Sequence, residues 1–289
     1  MFPRPIGEAS PMAQAGYRIA LLVSLLLWLL PLFAVAWTSV RPLDDFNRGN
    51  VWGWPTEFAL TANYLAVLSE PRTVGFFLNS VVISVCAVAG AIALSAMAGF
   101  ALAKHRFRGN YLLLAVFIGG NLVPFQSLMI PVRELMVSFG LYDTRFALIL
   151  FHIAFQCGFC TLFTRNFFRQ VPESLLESAR LEGASELQIF WHVALPLIRP
   201  ALAGLAVLIF TFVWNDYFWS LVLVHSDSAR PLTAGLQSLR GMWVTSWNLI
   251  AAASIVAAIP PVALFFLLQK HMLSTLYPGR EDAGPAPPR

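Results

Sequence analysis

Long apolar runs separated by short charged segments set the rhythm of this chain. Six runs are long enough, at about 20 residues, to cross a bilayer as helices: about 19–40, 77–103, 111–131, 146–163, 197–223 and 249–268. The second is rich in small residues (Ala87, Ala89, Gly90, Ala91, Ser95, Ala96, Ala98 and Gly99), which let helices approach closely. Pro124 is expected to interrupt the third span, and Pro260-Pro261 to break the sixth. Proline inside a span frees backbone carbonyls, which must then find a neighbouring helix or a wet cavity. Broken helices therefore point towards a pathway. The pattern predicts an all-α, polytopic membrane protein with a single membrane domain over 1–276. The last stretch, 277–289, is Pro-rich and polar, and is expected to be disordered.

One segment departs from this rhythm. Glu177 to Pro200 (ESARLEGASELQIFWHVALPLIRP) is polar and charged, and lies between the fourth and fifth spans. Pro172 suits a first helical turn, and helical propensity runs from Glu173 through Leu181. Gly183 can then turn the backbone with positive φ. Ser185 with Gln188 reads as a capping box that restarts a helix. Leu187, Phe190, Trp191 and Ala194 fall at i, i+3, i+4 and i+7, one apolar stripe. Such a stripe can enter a partner's cleft or pack back on the chain's own core. Pro196 either stops this second helix or begins the next span. The prediction is a bent amphipathic helix pair over about 172–196, suited to docking.

Composition supports the membrane class, since hydrophobic residues make up 58% of the 289 and charged residues 12%. The net charge of +4 brings no basic stripe or finger motif with it, so nucleic acid is not an expected partner; membrane lipid is. Arg4 and Arg18 precede the first run and Ala34-Val35-Ala36 imitates a cleavage site, but that run is longer than a signal peptide's apolar core of about 7–15 residues. It is read as an uncleaved first helix. With the N-terminus inside, twelve of the 19 Lys and Arg residues fall on the cytoplasmic side and seven opposite. Both termini and the Glu177–Pro200 loop are then cytoplasmic. The long loop from about Arg41 to Gly75, with Trp52 and Trp54, belongs to the outer interface.

Asp216 is the single acidic residue well inside a predicted span, where a carboxylate needs a partner, a cavity or a pathway. Asn215 and Asp216 are candidates to line the pathway or brace its gate; a structural hydrogen bond to a neighbouring helix is the plainer alternative. His152, Gln156 and Cys160 share one face of the fourth span at i, i+4 and i+8. His and Gln both donate and accept, as sugar hydroxyls require, although bonding between helices explains the stripe as well. Asn121 and Gln126, beside Pro124, are lesser candidates of the same kind. Cys157-Gly158-Phe159-Cys160 matches C-x-x-C but lies in an apolar run without a thioredoxin-like context, so redox chemistry is not inferred. No metal set is evident: His152 and the two cysteines lack a fourth ligand. G-x-x-x-x-G-K-[ST] is absent, so no ATP site lies in this chain.

Glu177, Ala179, Gly183, Leu195 and Pro196 fall where the "EAA" signature of bacterial ABC-importer permeases has Glu, Ala, Gly, Leu and Pro. Ser178 and Glu182 replace the signature's second Ala and its common Asp. Asn79-Ser80, Phe107-Arg108-Gly109, Gly140-Leu141 with Thr144, Trp214-Asn215-Asp216 and Leu232-Thr233 follow in the order of the sugar-importer branch. From about residue 17 to 276 the chain resembles the second permease of maltose-type importers. The resemblance implies a non-catalytic subunit of the bacterial inner membrane with six transmembrane helices, paired with a sibling permease and two ATPase subunits. It further implies an extracytoplasmic solute-binding protein, ATP-Mg on the ATPases and no cofactor on this chain. The helix pair becomes a cytoplasmic coupling element whose ATPase-facing residues are Glu177, Ala179, Gly183, Leu187, Phe190, Trp191, Leu195 and Pro196. A membrane scaffold and an intramembrane enzyme built on His152, Asp216 and the cysteines are the competing readings. The enzyme leaves the docking loop unexplained, and the broken third and sixth helices argue for a pathway over a scaffold.

Overall fold

A computed structural model describes residues 10–236 and 246–276; the predicted tail lies outside them. Among the described residues the regular structure is helical. Four helices are long and apolar enough to cross a membrane, or up to six if each of two bent pairs is one span. The chain divides into two compact units.

The first unit comprises residues 1–70 and 238–257. Ser10 caps helix α1 (Pro11–Ser39) by accepting the Ala13 N–H at 3.4 Å, and Pro31 lies inside the helix without ending it. Its long apolar surface is unburied within the chain, which suits lipid. The segment after it contains more structure than the expected outer loop. Helices α2 (Leu43–Asn47) and α3 (Leu60–Ser69) fold over a buried Arg41. Its guanidinium binds Asp45 at 3.1 Å and donates to the carbonyls of Val51 (2.7 Å) and Gly53 (2.9 Å). Asp45 is also met by the backbone and side chain of Thr56. A buried charge is tolerable only when paired and hydrogen-bonded in this way. Asn63 donates to the carbonyls of Ser39 and Arg41 and accepts from Asn248 at 2.8 Å.

The second unit, residues 71–237 and 258–289, is built on helices α4 (Pro71–Lys104) and α7 (Arg145–Phe168). Arg145 meets Asn79, Ile153 lies against Gly90, Thr164 against Gly99, and Lys104 reaches Val171, so the two helices advance together and run parallel. The small residues of α4 explain the close approach: Ala87, Ala91, Ser95, Ala96 and Gly99 are all buried. Thr164 seals the seam by donating to the Ser95 carbonyl at 2.8 Å.

The third span breaks as predicted at Pro124. Helix α5 (Asn110–Leu122) and the segment Phe125–Ser138, which ends in α6 (Met129–Ser138), meet at 95°. After α7 come α8 (Glu173–Leu181), α9 (Glu186–Ile189), a π-turn over Phe190–Ala194, α10 (Leu195–Leu197) and α11 (Arg199–Trp214). The fifth span is not one helix, because α11 stops at Asn215 and α12 (Phe218–Leu223) begins anew. A four-residue helix α13 (Leu232–Gly235) follows. In the sixth span the expectation fails: α14 (Trp247–Leu276) carries Pro260 and Pro261 inside it without interruption. Proline's fixed φ of about −65° is itself helical, and the carbonyls it leaves free do not force a break.

Candidate functional site

The bent helix pair is assembled as its sequence dictates. Leu176 of α8 is buried while Glu177 is exposed and Ala179 half-buried. Gly183 takes φ +85° with no atom within 4 Å of where a Cβ would stand, so its conformation and not crowding calls for glycine. Ser185 and Gln188 form the capping box: Ser185 Oγ accepts the Gln188 N–H at 3.4 Å, and Gln188 Oε1 accepts the Ser185 N–H at 2.8 Å.

Arg180 was not singled out by the sequence, yet it joins the two helices. It donates to Glu186 at 2.8 Å and to Glu173 at 3.1 Å. These hydrogen bonds hold the Glu186 carboxyl below its ordinary pKa and raise that of Arg180. Burial opposes the shift at Glu173, but Arg180 and Lys104 outweigh it and hold its pKa down too. Lys104 donates to Glu173 at 3.2 Å and to the Val171 carbonyl at 2.7 Å, and His105 stands 3.5 Å from Glu186. The bend is thus tied to the end of α4.

The predicted apolar stripe divides in two. The i→i+5 spacing of the π-turn brings Ile189 and Ala194 to one side, and with Phe190 they are buried. Phe190 packs on Phe100 and Phe168, at ring-centroid distances of 5.4 and 6.1 Å. It anchors the pair to the ends of α4 and α7 and has no surface to offer a partner. Leu187 (59% exposed), Trp191 (51%) and Leu181 (90%) face outward beside Glu177. Leu195 and Pro196 are half-buried in α10, and the chain turns by 76° at Ile198 into α11. Pro196 therefore closes the second helix, and the span starts after it.

Within the second unit, His152 and Asp216 are brought together, His152 Nε2 lying 3.7 Å from Asp216 Oδ2. The carboxylate's main work is local: it accepts the N–H groups of Trp219 (3.3 Å) and Ser220 (3.1 Å) and the Ser220 hydroxyl (3.2 Å), capping α12. That competition for helical donors explains why the fifth span breaks here. Asn215 is exposed and donates back to the Thr211 carbonyl at 2.8 Å. His152 and Gln156 are 1% and 7% exposed, and His152 Nδ1 and Gln156 Nε2 have no hydrogen-bond partner. Buried polar groups without partners are uncommon and need a reason. Asn121 lines a 370 Å³ apolar cavity with Gly120, Phe151, Phe155 and Gly158, while Gln126 is exposed. Cys86, Cys157 and Cys160 are unbridged, and no His, Cys, Asp or Glu group among the described residues could hold a metal.

Asn79-Ser80, Asp216 and Leu232-Thr233, scattered in the sequence, converge on the end of the second unit opposite the helix pair, whereas Phe107-Arg108-Gly109 follows the end of α4 that holds the pair. Asn79 donates to the carbonyls of Ser228 and Arg230, and Ser80 Oγ accepts the Leu232 N–H at 2.8 Å. Thr233 donates to the Asp216 carbonyl at 2.6 Å. Asp143, at φ 61°, accepts the N–H groups of His225 and Ser226 and the Ser226 hydroxyl.

Comparison with known proteins agrees with this architecture. Residues 91–275 match the family described as "binding-protein-dependent transport system inner membrane component". The osmoprotective compounds uptake permease protein GgtD of Synechocystis is 33% identical over 91% of this chain and 90% of its own. The arabinooligosaccharides transport system permease protein AraQ of Halalkalibacterium halodurans is 31% identical over 86% and 89%. Among solved structures, a bacterial ABC transporter involved in import of the acidic polysaccharide alginate superposes with TM-score 0.79 at 25% identity. That match covers 91% of this chain and 99% of the other.

Proposed function

The chain belongs to the binding-protein-dependent transport system inner membrane components, a non-catalytic permease subunit of an ABC importer, and from that premise we propose that it carries a carbohydrate or a similarly hydroxyl-rich solute. The names of its relatives, which include permeases for arabinooligosaccharides and α-glucosides, support that class. A sibling permease completes the pathway, and two ATPase subunits, which bind ATP-Mg, drive it. Both termini of this chain lie in the cytoplasm.

In this reading the exposed face of Glu177, Leu181, Gly183, Leu187 and Trp191 seats in the ATPase. The observation that supports it is the division of labour in the helix pair. One face is bolted to Phe100 and Phe168 while the other offers large apolar groups beside an exposed carboxylate. A lever needs both. Closure of the ATPases pushes the pair, and because Arg180 holds its two helices together while Lys104 and the Phe190 cluster tie it to α4 and α7, those helices move with it as a rigid body. The cavity then opens to the outside, where the solute-binding protein delivers. His152, Gln156 and Asp216 face the pathway, offering donors and acceptors to sugar hydroxyls.

Two measurements test the reading. Purification in mild detergent with mass spectrometry should recover a second permease and an ATPase. Proteoliposomes of that complex should take up a labelled oligosaccharide only with ATP and the binding protein. Recovery of the chain alone under several mild detergents, or uptake indifferent to ATP, would reject it.

A further inference from the structure

A 530 Å³ cleft opens where α4 ends, α5 begins and α7 finishes, lined by His105, Arg106, Asn110, Tyr111, Arg165 and Arg169 among others. Three of these carry guanidinium groups, and no carboxylate among the described residues answers any of them. The nearby acids are engaged elsewhere, Glu173 by Lys104 and Arg180, and Glu186 by Arg180 and His105. Arg165 Nε donates weakly to the Leu102 carbonyl at 3.4 Å, and Asn110 Nδ2 donates to the carbonyls of Leu102 and His105. Arg106 and Arg169 are exposed and make no side-chain hydrogen bond or ion pair among the described residues. The cleft therefore concentrates positive charge with donors to spare, in the fork geometry that suits phosphate oxygens.

Its position selects the kind of phosphate. The cleft lies at the ends of apolar helices, at the height of a membrane surface. Tyr111, on its rim, is exposed, as an aromatic at the headgroup level would be. From there α5, which has no buried residue, presents Leu112 and Val116 to the surroundings, an apolar track leading away from the charged end. We propose that this cleft binds an anionic phospholipid, its headgroup phosphate held by Arg106, Arg165 and Arg169 and its acyl chains lying along α5. The charge layout is that of a basic pocket between transmembrane helices that takes an acidic headgroup from the adjoining leaflet. A free phosphate would use the same donors but leave the α5 face without a role. The site does not depend on the identity of the transported solute.

The test uses the intact importer complex in detergent with equimolar phosphatidylglycerol and phosphatidylcholine of identical acyl chains, reading retained lipid by native mass spectrometry. Wild type should retain phosphatidylglycerol preferentially, and R106Q/R169Q should reduce that preference about thirtyfold while keeping the ATPase. These two exposed side chains make no hydrogen bond or ion pair among the described residues, so the variant should fold; R165Q, which loses the hydrogen bond to the Leu102 carbonyl, serves as the second variant. Unchanged phosphatidylglycerol retention in R106Q/R169Q overturns the proposal. So does loss of the ATPase with lipid unchanged, which would make the cleft a protein interface. Displacement of phosphatidylglycerol by inorganic phosphate at matched concentration would assign the cleft to a free anion and also overturn it.

Discussion

Asp216 Oδ2 lies 3.7 Å from His152 Nε2 while accepting the Ser220 N–H at 3.1 Å, so one carboxylate both caps α12 and faces a buried imidazole. The two roles separate by mutation. Asp216→Ala removes the cap and should cost about 1 kcal/mol of stability, read as a lower melting temperature of the complex. Asp216→Asn keeps one acceptor oxygen, and so one of the two backbone N–H bonds to α12, which is enough for a cap as good as Asp, but it loses the charge opposite His152. It should assemble normally and take up solute more slowly. Normal uptake by Asp216→Asn would remove Asp216 from the pathway and leave it a capping residue.

Gln156 is decided by a different contrast. Its Nε2 is buried without a partner, so Gln156→Leu exchanges an unsatisfied amide for an apolar group of similar size. That exchange is close to neutral or stabilising. If the amide binds solute, uptake should show KM raised about tenfold, the equivalent of one hydrogen bond of about 1–1.5 kcal/mol, with no fall in melting temperature. A lower melting temperature and an unchanged KM would identify Gln156 as a structural residue.

Elements with local grammar were legible in the sequence. The capping box at Ser185, the turn at Gly183, the break at Pro124 and the small-residue face of α4 all follow from neighbours within a few positions, and the structure has each of them. What escaped depends on distant partners or on a change of helical period. Arg41 counts as an outer surface charge until Asp45, Val51 and Gly53 are folded around it. The π-turn splits a stripe that a 3.6-residue period draws as one, sending Phe190 inward and Trp191 out. Pro260-Pro261 looked like a break because proline removes helical donors, yet α14 continues through it. Arg180 reads as one more loop arginine until Glu173 and Glu186 are brought within reach.

Gly99 tests the α4–α7 seam. A Cβ there would stand 2.2 Å from Thr164 Oγ1 and 2.8 Å from the Arg165 backbone nitrogen. The hydroxyl can rotate; the backbone cannot. Gly99→Ala should force the helices apart and cost about 1–3 kcal/mol, read as a lower melting temperature and reduced yield of assembled complex. Wild-type stability in Gly99→Ala would mean the seam is looser than it stands here.

The Arg180–Glu186 bridge predicts a pH dependence of definite sign. Hydrogen bonding to Arg180 depresses the folded pKa of Glu186 below its unfolded value of about 4.3. Its contribution is therefore fully present above that value and lost as pH falls through the lower folded one. Both side chains are partly exposed, at 32% and 46%, so the bridge is worth no more than about 1 kcal/mol. Glu186→Gln should lower the melting temperature slightly at neutral pH. The gap from wild type should close on acidification. A gap that widens in acid would contradict the assignment.

Gly183 and Glu177 test coupling itself, because each can be altered without disturbing the buried anchor. A Cβ at Gly183 would have no atom within 4 Å, so the main cost of Gly183→Val is a left-handed φ, roughly 1–2 kcal/mol. The cheapest relief is to re-angle α8 against α9, which moves Glu177 relative to Leu187 and Trp191 while Leu176 and Phe190 stay buried. Glu177→Lys leaves the geometry alone and reverses the charge on the outward face. Both variants should insert at normal levels, and both should lose uptake. They should differ in ATP hydrolysis: Gly183→Val should leave an ATPase that turns over without transport, whereas Glu177→Lys should weaken ATPase retention during purification. Coupled transport at the wild-type ratio of hydrolysis to uptake in both variants would mean the ATPase grips another surface. The exposed trio Leu181, Leu187 and Trp191 would then need a different occupant.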